Sequence, residues 1–288
     1  MLLAIPQRNC SMGERIVIGI EVDKVYNEDC LLTLSRLSSD CLDMVITSPP
    51  YDNMRKYGGF EVDFESIIKE LYRVMKNGGV IIWTVGDQTI DGSETGTSFR
   101  QALMFMDAGF KLHDTMLYVK KNPIPQPPYV RYAQSFEYMF CFSKGNPKTF
   151  NPIQVPTSCK GSIYQIKRNV LDPNQAVRPK ETVYKTPPTK PHSNMFEYPL
   201  NGENTTGHPA VFPNRLAYDQ IISWSNPGDL VYDPFMGSGT VAVECMRSGR
   251  HYLGSEINPE YMQMIERRIA ETDKKIPKKR LNDFFDLS

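Results

Sequence analysis

The stretch that decides the fold is DLVYDPFMGSGTVAVECMRSG, residues 229–249. DLVYD predicts a strand, TVAVECMRSG predicts a helix, and the turn PFMGSGT joins the two. Glycines at 237 and 239 permit a close backbone approach, and a helix that starts after such a turn presents free N–H groups able to meet a carboxylate. The segment therefore predicts a strand, turn and helix of an α/β protein with a ligand site at the turn.

Short β-rich runs alternate with helical patterns elsewhere, which predicts a sheet with crossover helices. DMVITS (43–48) and VIIWTV (80–85) predict strands, and FESIIKELYRVMKNGG (64–79) predicts an amphipathic helix that ends at its two glycines. Later segments predict a helix at SFRQALMFMDAGF, strands at KLHDTMLYVK and SFEYMFCFSK, a helix at HPAVFPNRLAYDQIISW, a strand at YLGSEI and a helix at NPEYMQMIERRIAET. Residues from about 145 to about 207 have weak periodicity and many Pro, Asn, Thr, Lys and Tyr residues, so we expect an insert outside the core.

Composition narrows the class of protein. A chain of 288 residues with 40% hydrophobic residues can bury one core, and 33 basic against 33 acidic residues leave no global positive field, so any nucleic-acid surface must be a local patch. The six cysteines lack close pairs, and the four histidines lack ligand spacing, so we expect a reduced cytoplasmic protein without disulfides or metal. No apolar run is long enough to span a membrane, and Pro6, Arg8 and Asn9 interrupt the opening residues, so neither export nor anchoring is expected.

The segment TSPPY, Thr47 to Tyr51, follows a predicted strand at the edge where open α/β sheets bind ligands. Two successive prolines have no N–H, so this turn accepts hydrogen bonds and cannot donate them, which suits an amino group as guest. Ser48 Oγ and the Pro49 carbonyl are the candidate acceptors, and Tyr51 is the candidate to stack on a base and stabilise a cation. The alternative is that the prolines merely end a strand.

The glycine turn is also ambiguous when taken alone. Glu256 stands about twenty residues further on, where nucleotide-binding α/β folds place an acid for ribose hydroxyls, and a dinucleotide would suit the same geometry. However, the spacing is not GxGxxG, and the lysine of GxxxxGK[ST] is missing. A purely structural glycine turn remains the competing interpretation.

Taken together, TSPPY, HPAVFP (208–213) and DPFMGSGT (233–240) resemble the catalytic, methionine-side and cofactor motifs of the amino-methylating DNA methyltransferases of restriction-modification systems. The order, with the catalytic motif first, is similar to the beta class. The resemblance covers nearly the whole chain. It implies a doubly wound, mostly parallel, Rossmann-like α/β sheet, circularly permuted, with an inserted target-recognition region, and it implies S-adenosylmethionine as the cofactor.

The resemblance also implies roles for particular residues. Those of the catalytic turn are Ser48, Pro49, Pro50 and Tyr51. Those expected at the cofactor are Asp29, Cys30, Asp233, Pro234, Phe235, Gly237, Ser238, Gly239, Thr240, Glu256 and Asn258. Among these, Asp29 and Cys30 are expected near the adenine and Glu256 at the ribose.

The expected organisation follows from the same motifs. It consists of an N-terminal extension (1–21), a catalytic half (22–144), a target-recognition region (145–207), a cofactor-binding half (208–272) and a charged tail (273–288). Cations interleaved with an aromatic residue are typical of nucleic-acid surfaces. The predicted DNA contacts are Arg55, Lys160, Tyr164, Lys167 and Arg168, with Arg178, Lys180, Lys185 and Lys190 extending the basic character. The expected partner is double-stranded DNA, and whether a cognate restriction endonuclease also exists is left open by the sequence.

The target base is open between two candidates. Cytosine-methylating members commonly have Ser at the first position of the catalytic motif and adenine-methylating members Asp, so Ser48 favours cytosine N4 over adenine N6. Both side chains accept hydrogen bonds, so neither base is excluded. Two other classes stay open: a degenerate, non-catalytic module that binds DNA or a nucleotide, and a methyltransferase for RNA or small molecules, which the permuted motif order and the long insert disfavour.

Overall fold

The structure, a computed structural model, describes residues 20–50, 62–123, 130–171, 177–199 and 212–276, with the backbone alone at 164, 166–171 and 177–182. The helices are α1 (Cys30–Arg36), α2 (Phe64–Val74), α3 (Thr97–Asp107), α4 (Asn214–Trp224), α5 (Thr240–Ser248) and α6 (Pro259–Lys275). The strands are β1 (Lys24–Tyr26), β2 (Leu42–Thr47), β3 (Met75–Val85), β4 (Thr89–Ile90), β5 (Ser93–Glu94), β6 (Lys111–Lys120), β7 (Phe136–Ser143), β8 (Gln154–Pro156), β9 (Ile163–Leu171), β10 (Val177–Lys185), β11 (Thr189–Pro191), β12 (Met195–Tyr198), β13 (Leu230–Asp233) and β14 (His251–Ser255).

A mostly parallel sheet forms the centre of the main unit. In the described residues its strand order is β1-β14-β13-β2-β3-β7-β6-β12. Strand β7 runs antiparallel to both of its neighbours, and the other pairings are parallel. This arrangement confirms the predicted α/β class with a mostly parallel, doubly wound sheet.

Helices cover both faces of the sheet, which is why its central strands are almost continuously apolar. Ile81, Trp83 and Val85 of β3 lie in one apolar cluster with residues of α1, α2 and α3. Val80 and Ile82, at the alternate positions of β3, face the opposite side of the sheet and are equally buried. On that side α4 packs on β2 and on α5, and α5 packs on β14.

The chain reverses direction across the sheet between β13 and β2. From β13 it continues through α5 to β14 on one side, and from β2 it continues through α2 to β3 on the other. Such a topological switch point opens a crevice at the carboxyl ends of the two strands, where ligands of open α/β sheets bind. PFMGSGT follows β13, and Ser48, Pro49 and Pro50 follow β2, so both candidate motifs begin at this crevice.

The expected helix over 64–79 was wrong at its end. Helix α2 ends at Val74, and Gly78 and Gly79 lie within β3. Gly78 N donates to Lys144 O at 2.6 Å, and a Cβ at Gly79 would lie 2.9 Å from Asp43 O. The glycines therefore permit close approach of the segments flanking β3, which a helix-stop interpretation of the pair missed.

Residues Pro152–Ser193 form a second compact unit. It contains two antiparallel pairs, β8 with β11 and β9 with β10. The unit contains fewer residues than the insert that composition predicts over 145–207. Strand β12 lies within that predicted insert, yet it pairs with β6 at the edge of the main sheet, and its Phe196 and Tyr198 are buried. Weak hydrophobic periodicity concealed these strands. In the described part of the chain, no helix is both long and apolar enough to cross a membrane.

Candidate active site

The two motifs at the switch point are joined by a buried hydrogen bond. Thr47 Oγ1, at the end of β2, donates to Asp233 Oδ1, at the end of β13, at 2.6 Å. The same carboxylate oxygen accepts from Phe235 N at 3.0 Å, which fixes the first step of the glycine turn. Asp233 therefore sets the position of one turn relative to the other.

Asp233 is buried where an ionised carboxylate is unfavourable. Burial raises its pKa from 3.8 to about 7, the hydrogen bonds from Thr47 and Phe235 oppose the rise, and the negative charge of Glu256 adds to it. Near neutral pH the Asp233 carboxyl is therefore present in both its protonated and its ionised form. The neutral form retains one acceptor oxygen and gains a donor, so the link between the turns survives protonation.

The glycine turn has the backbone conformation that its sequence predicts. Gly237 and Gly239 have φ angles of 55° and 79°, which L side chains rarely adopt. Gly239 N donates to Met236 O at 2.9 Å, and Gly239 is the N-cap residue of α5. The turn thus ends directly at the positive end of a helix, where an anionic group is stabilised.

Glu256 closes the turn from the neighbouring strand. Its Oε2 accepts from Gly237 N and its Oε1 from Asn258 N, both at 2.8 Å. Burial raises the Glu256 pKa, and these backbone donors partly oppose the rise. The carboxylate keeps further lone pairs for a ribose hydroxyl. Asn258 in turn caps α6, since its Oδ1 accepts from Glu260 N at 2.9 Å.

The chain after β1 reaches the same edge of the sheet. Glu256 N donates to Tyr26 O at 3.0 Å, and Asn27 Nδ2 donates to Glu256 O at 2.7 Å. Asp29 follows as the exposed N-cap of α1, and Cys30 is buried beside it. Burial and the negative charge of Asp29 raise the Cys30 pKa to about 12, so this cysteine remains a neutral thiol.

Phe235 differs from the other residues of the cofactor motif. Its ring packs in the apolar cluster, with ring centroids 6.4 Å from Phe64 and 6.3 Å from Trp83. Trp83 is held by Gln101, which accepts from its Nε1 at 2.7 Å. Phe235 therefore anchors the turn to the core under α2 and α3. Pro234, Ser238 and Thr240 are buried within the turn itself.

Arg268 of α6 was not anticipated from the sequence, yet it contacts the glycine turn directly. Its Nη1 donates to the Ser238 carbonyl, to Ser238 Oγ at 2.9 Å and to Thr240 Oγ1 at 3.2 Å. Its Nη2 donates to Asn214 Oδ1, in the first turn of α4, at 3.1 Å. One guanidinium thus ties the glycine turn to the helix that follows HPAVFP. No local motif marks Arg268, because it lies on a solvated helix far along the chain.

The remaining predicted residues divide by location. Ser48 and Pro50 are half-buried and Pro49 is buried directly after β2, whereas Tyr51 and Arg55 lie outside the described residues. In the second unit, Lys160 is exposed, and Tyr164, Lys167 and Arg168 lie on β9. The structure thus brings Ser48, Pro49 and Pro50 and the glycine turn to one crevice, and the predicted DNA contacts Tyr164, Lys167 and Arg168 belong to the second unit.

Comparison with known proteins shows which family this chain belongs to. The profile of the N6/N4 DNA methylases matches residues 42–267. The chain is 45% identical over 243 residues to the orphan methyltransferase M.BamHII of Bacillus amyloliquefaciens, covering 80% of this chain and 89% of that one. It is 27% identical over 287 residues to the type II methyltransferase M.SmaI of Serratia marcescens, covering 85% and 90%.

Solved structures agree on the fold. The PvuII DNA methyltransferase, described as cytosine-N4-specific, superposes with a TM-score of 0.65 at 22% identity, covering 91% of this chain and 90% of that one. The M1.HpyAVI complex with S-adenosylmethionine gives 0.57 at 23% identity, covering 85% and 98%. The chain belongs to the N6/N4 DNA methylase family, whose cofactor is S-adenosylmethionine.

Proposed function

We propose that this DNA methyltransferase methylates the N4 amino group of cytosine in duplex DNA, with the target base flipped out of the helix. The observation that carries the proposal is the pairing of a proline turn and a glycine turn at the switch point, joined by the hydrogen bond from Thr47 to Asp233. Methyl transfer requires two bound molecules, a cofactor and a base, and each turn suits one of them.

The glycine turn suits S-adenosylmethionine. When bound, this cofactor supplies a methyl group already activated by its sulfonium. The N-terminus of α5 favours the carboxylate of the methionine end, and the Glu256 carboxylate keeps acceptor capacity for the ribose. Asp29 and Cys30 are the proposed neighbours of the adenine, because the chain after β1 lies beside Glu256.

The proline turn suits an amino group that must act as a nucleophile. The nitrogen lone pair of an aromatic amine is delocalised into the ring, and acceptors at both hydrogens favour the pyramidal form that frees it. Ser48 Oγ and the Pro49 carbonyl are the proposed acceptors, and Pro49 and Pro50 offer no competing N–H. Methyl transfer to the nitrogen would break the bond between the methyl carbon and the sulfonium sulfur and leave a neutral thioether, and the nitrogen would release one proton towards solvent. Tyr51 would stack on the base and stabilise the transient positive charge.

The buried position of Pro49 supports base flipping. The amino group of a paired cytosine sits inside the duplex, whereas Pro49 is buried at the end of a sheet strand. A base must leave the stack to reach such a position. We propose that the region 145–207, with the compact unit Pro152–Ser193 as its described centre, contacts the DNA around the target, together with Arg55. A partner endonuclease is not required, because the proposed chemistry uses residues of this chain alone.

Cytosine is favoured by Ser48, since the family resemblance associates Ser at this position with cytosine and Asp with adenine. The test is to express the chain in a host without DNA methylation, digest the genome to nucleosides and identify them by mass. We expect N4-methylcytosine. Finding N6-methyladenine alone would overturn the assignment of the base, and finding no methylated nucleoside would favour a non-catalytic binding module. A Tyr51→Ala variant is the matched control.

A further inference from the structure

The charged residues of the ribbon formed by β9 and β10 are distributed unevenly between its two faces. The antiparallel register pairs Tyr164 with Tyr184 and Arg168 with Lys180. Positions alternate between faces along a strand, and directly paired positions share a face. One face therefore carries five residues that bind nucleic acids readily, and we refer to it as the basic face: Tyr164, Arg168, Arg178, Lys180 and Tyr184.

The opposite face has a different charge. Its pairs Lys167 with Glu181 and Ile163 with Lys185 contribute two cations and one carboxylate. Within these two strands the basic face carries three cations and no carboxylate, a formal charge of +3 against +1 for the opposite face. Lys167 and Arg168 are neighbours in sequence, yet they lie on different faces.

The ribbon exposes apolar and aromatic side chains where these are described. Ile163 and Val183 on the opposite face are 69% and 62% exposed, and Tyr184 on the basic face is 43% exposed. A two-stranded ribbon alone is marginally stable, so a surface that binds one of its faces would also stabilise it. Each strand has nine residues, or about 30 Å of extended chain. The major groove of B-DNA is about 12 Å wide and admits a two-stranded ribbon.

We propose that the β9–β10 ribbon enters the major groove of duplex DNA with its basic face inward. Arg168, Arg178 and Lys180 meet the phosphates that border the groove, and the two tyrosines lie against bases and sugars. The inference rests on the proposed DNA methylation and deepens it, because it selects one face of the recognition region and assigns Lys167 to the face turned away from DNA.

The test compares two double variants with the same loss of charge. The probe is a short duplex carrying the sequence found methylated in cells that express the chain, and its Kd is measured across salt concentrations. Arg168→Ala with Lys180→Ala should raise the Kd at least tenfold and lower the slope of log affinity against log salt by about two, since each phosphate contact contributes about 0.9. Lys167→Ala with Lys185→Ala should change the Kd less than about threefold. Equal losses in both variants, or no loss in the first, would overturn the assignment of the face.

A second pair adds a charge and removes no cation. Thr182→Glu places a carboxylate on the basic face, and Val183→Glu places one on the opposite face at an exposed position. The first should weaken DNA binding several-fold more than the second, and the reverse order would overturn the proposal. Parental S-adenosylmethionine affinity and melting temperature in all variants confirm folding. Methyl transfer by the parent to the same duplex is measured first and tests the proposed function separately.

Discussion

The turns after β2 and β13 leave neighbouring parallel strands at the same edge, yet their backbones have opposite chemistry. The turn after β2 contains Pro49 and Pro50, which have no N–H and leave carbonyls and a hydroxyl as acceptors. The turn after β13 contains Gly237 and Gly239 with positive φ and leads into a helix N-terminus rich in donors. Acceptors suit an amine and donors suit a carboxylate, so the difference supports the guest that we propose for each turn.

The largest expected effect on the glycine turn is a loss of S-adenosylmethionine affinity when Glu256 is replaced. Glu256→Ala should weaken S-adenosylmethionine binding about a hundredfold, because the ribose loses its acceptor and Gly237 N and Asn258 N lose charge-assisted bonds worth on the order of 1.5–3 kcal/mol each. Calorimetry measures the affinity. Glu256→Gln retains one carbonyl oxygen and should show an intermediate loss. Parental affinity in Glu256→Ala would remove this residue from the cofactor site.

The link between the turns predicts a pH dependence of stability. The folded-state pKa of Asp233, about 7, lies above its ordinary value of 3.8, so its contribution to stability is complete below about pH 4 and declines as pH rises through 7. Asp233→Asn removes this titration. The free energy of unfolding of the variant relative to the parent should therefore rise with pH between these values, by up to about 1.4 kcal/mol per pH unit.

Urea unfolding at pH 5, 6, 7 and 8 measures that difference. Thr47→Val is the matched variant, since it removes the donor and keeps the carboxylate and should raise the Asp233 pKa further. A difference between Asp233→Asn and parent that is constant with pH would show that Asp233 is ionised throughout this range.

A smaller effect is expected at Arg268, which positions the glycine turn without a predicted contact to the cofactor. Arg268→Ala should raise the KM for S-adenosylmethionine about fivefold and leave kcat near the parental value, because the hydrogen bonds it loses act on the shape of the binding turn. Arg267→Ala, at the exposed neighbouring position, is the control and should behave as the parent. A fall in kcat with unchanged KM would contradict the positioning role.

Local patterns predicted correctly where β2 ends at the prolines and where β13 leads into the glycine turn, because each feature is determined by residues adjacent in sequence. A proline pair after a buried strand and a glycine turn before a helix have few conformational alternatives. The bond from Thr47 to Asp233 and the contacts of Arg268 join residues far apart in the chain. No single-sequence pattern signals such contacts, although Thr47 stands within a motif that attracts notice for other reasons.

The predicted end of α2 was wrong, and strands β9 and β10 were not predicted, because both depend on contacts between distant parts of the chain. Gly78 and Gly79 resemble a helix stop, and only the position of Lys144 and Asp43 beside them explains their place in a strand. The ribbon of β9 and β10 has apolar residues on both faces, such as Ile163 and Val183 on one and Ile166 on the other, so it lacks the alternation that marks a half-buried strand. Its charge sorting appears only once the register is known.

In the proposed mechanism, the proline turn binds the base and the glycine turn binds the cofactor. Single-turnover methyl transfer, measured alongside cofactor affinity in variants of the proline turn, is the most direct test. Tyr51→Ala should slow transfer tenfold or more, since stacking and cation stabilisation are each worth on the order of 1 kcal/mol, and Tyr51→Phe or Tyr51→Trp should retain much of the rate. Ser48→Ala should slow transfer through the loss of one acceptor. All four variants should bind S-adenosylmethionine as the parent does. A parental transfer rate in Tyr51→Ala would mean that the prolines only end a strand and would contradict the account.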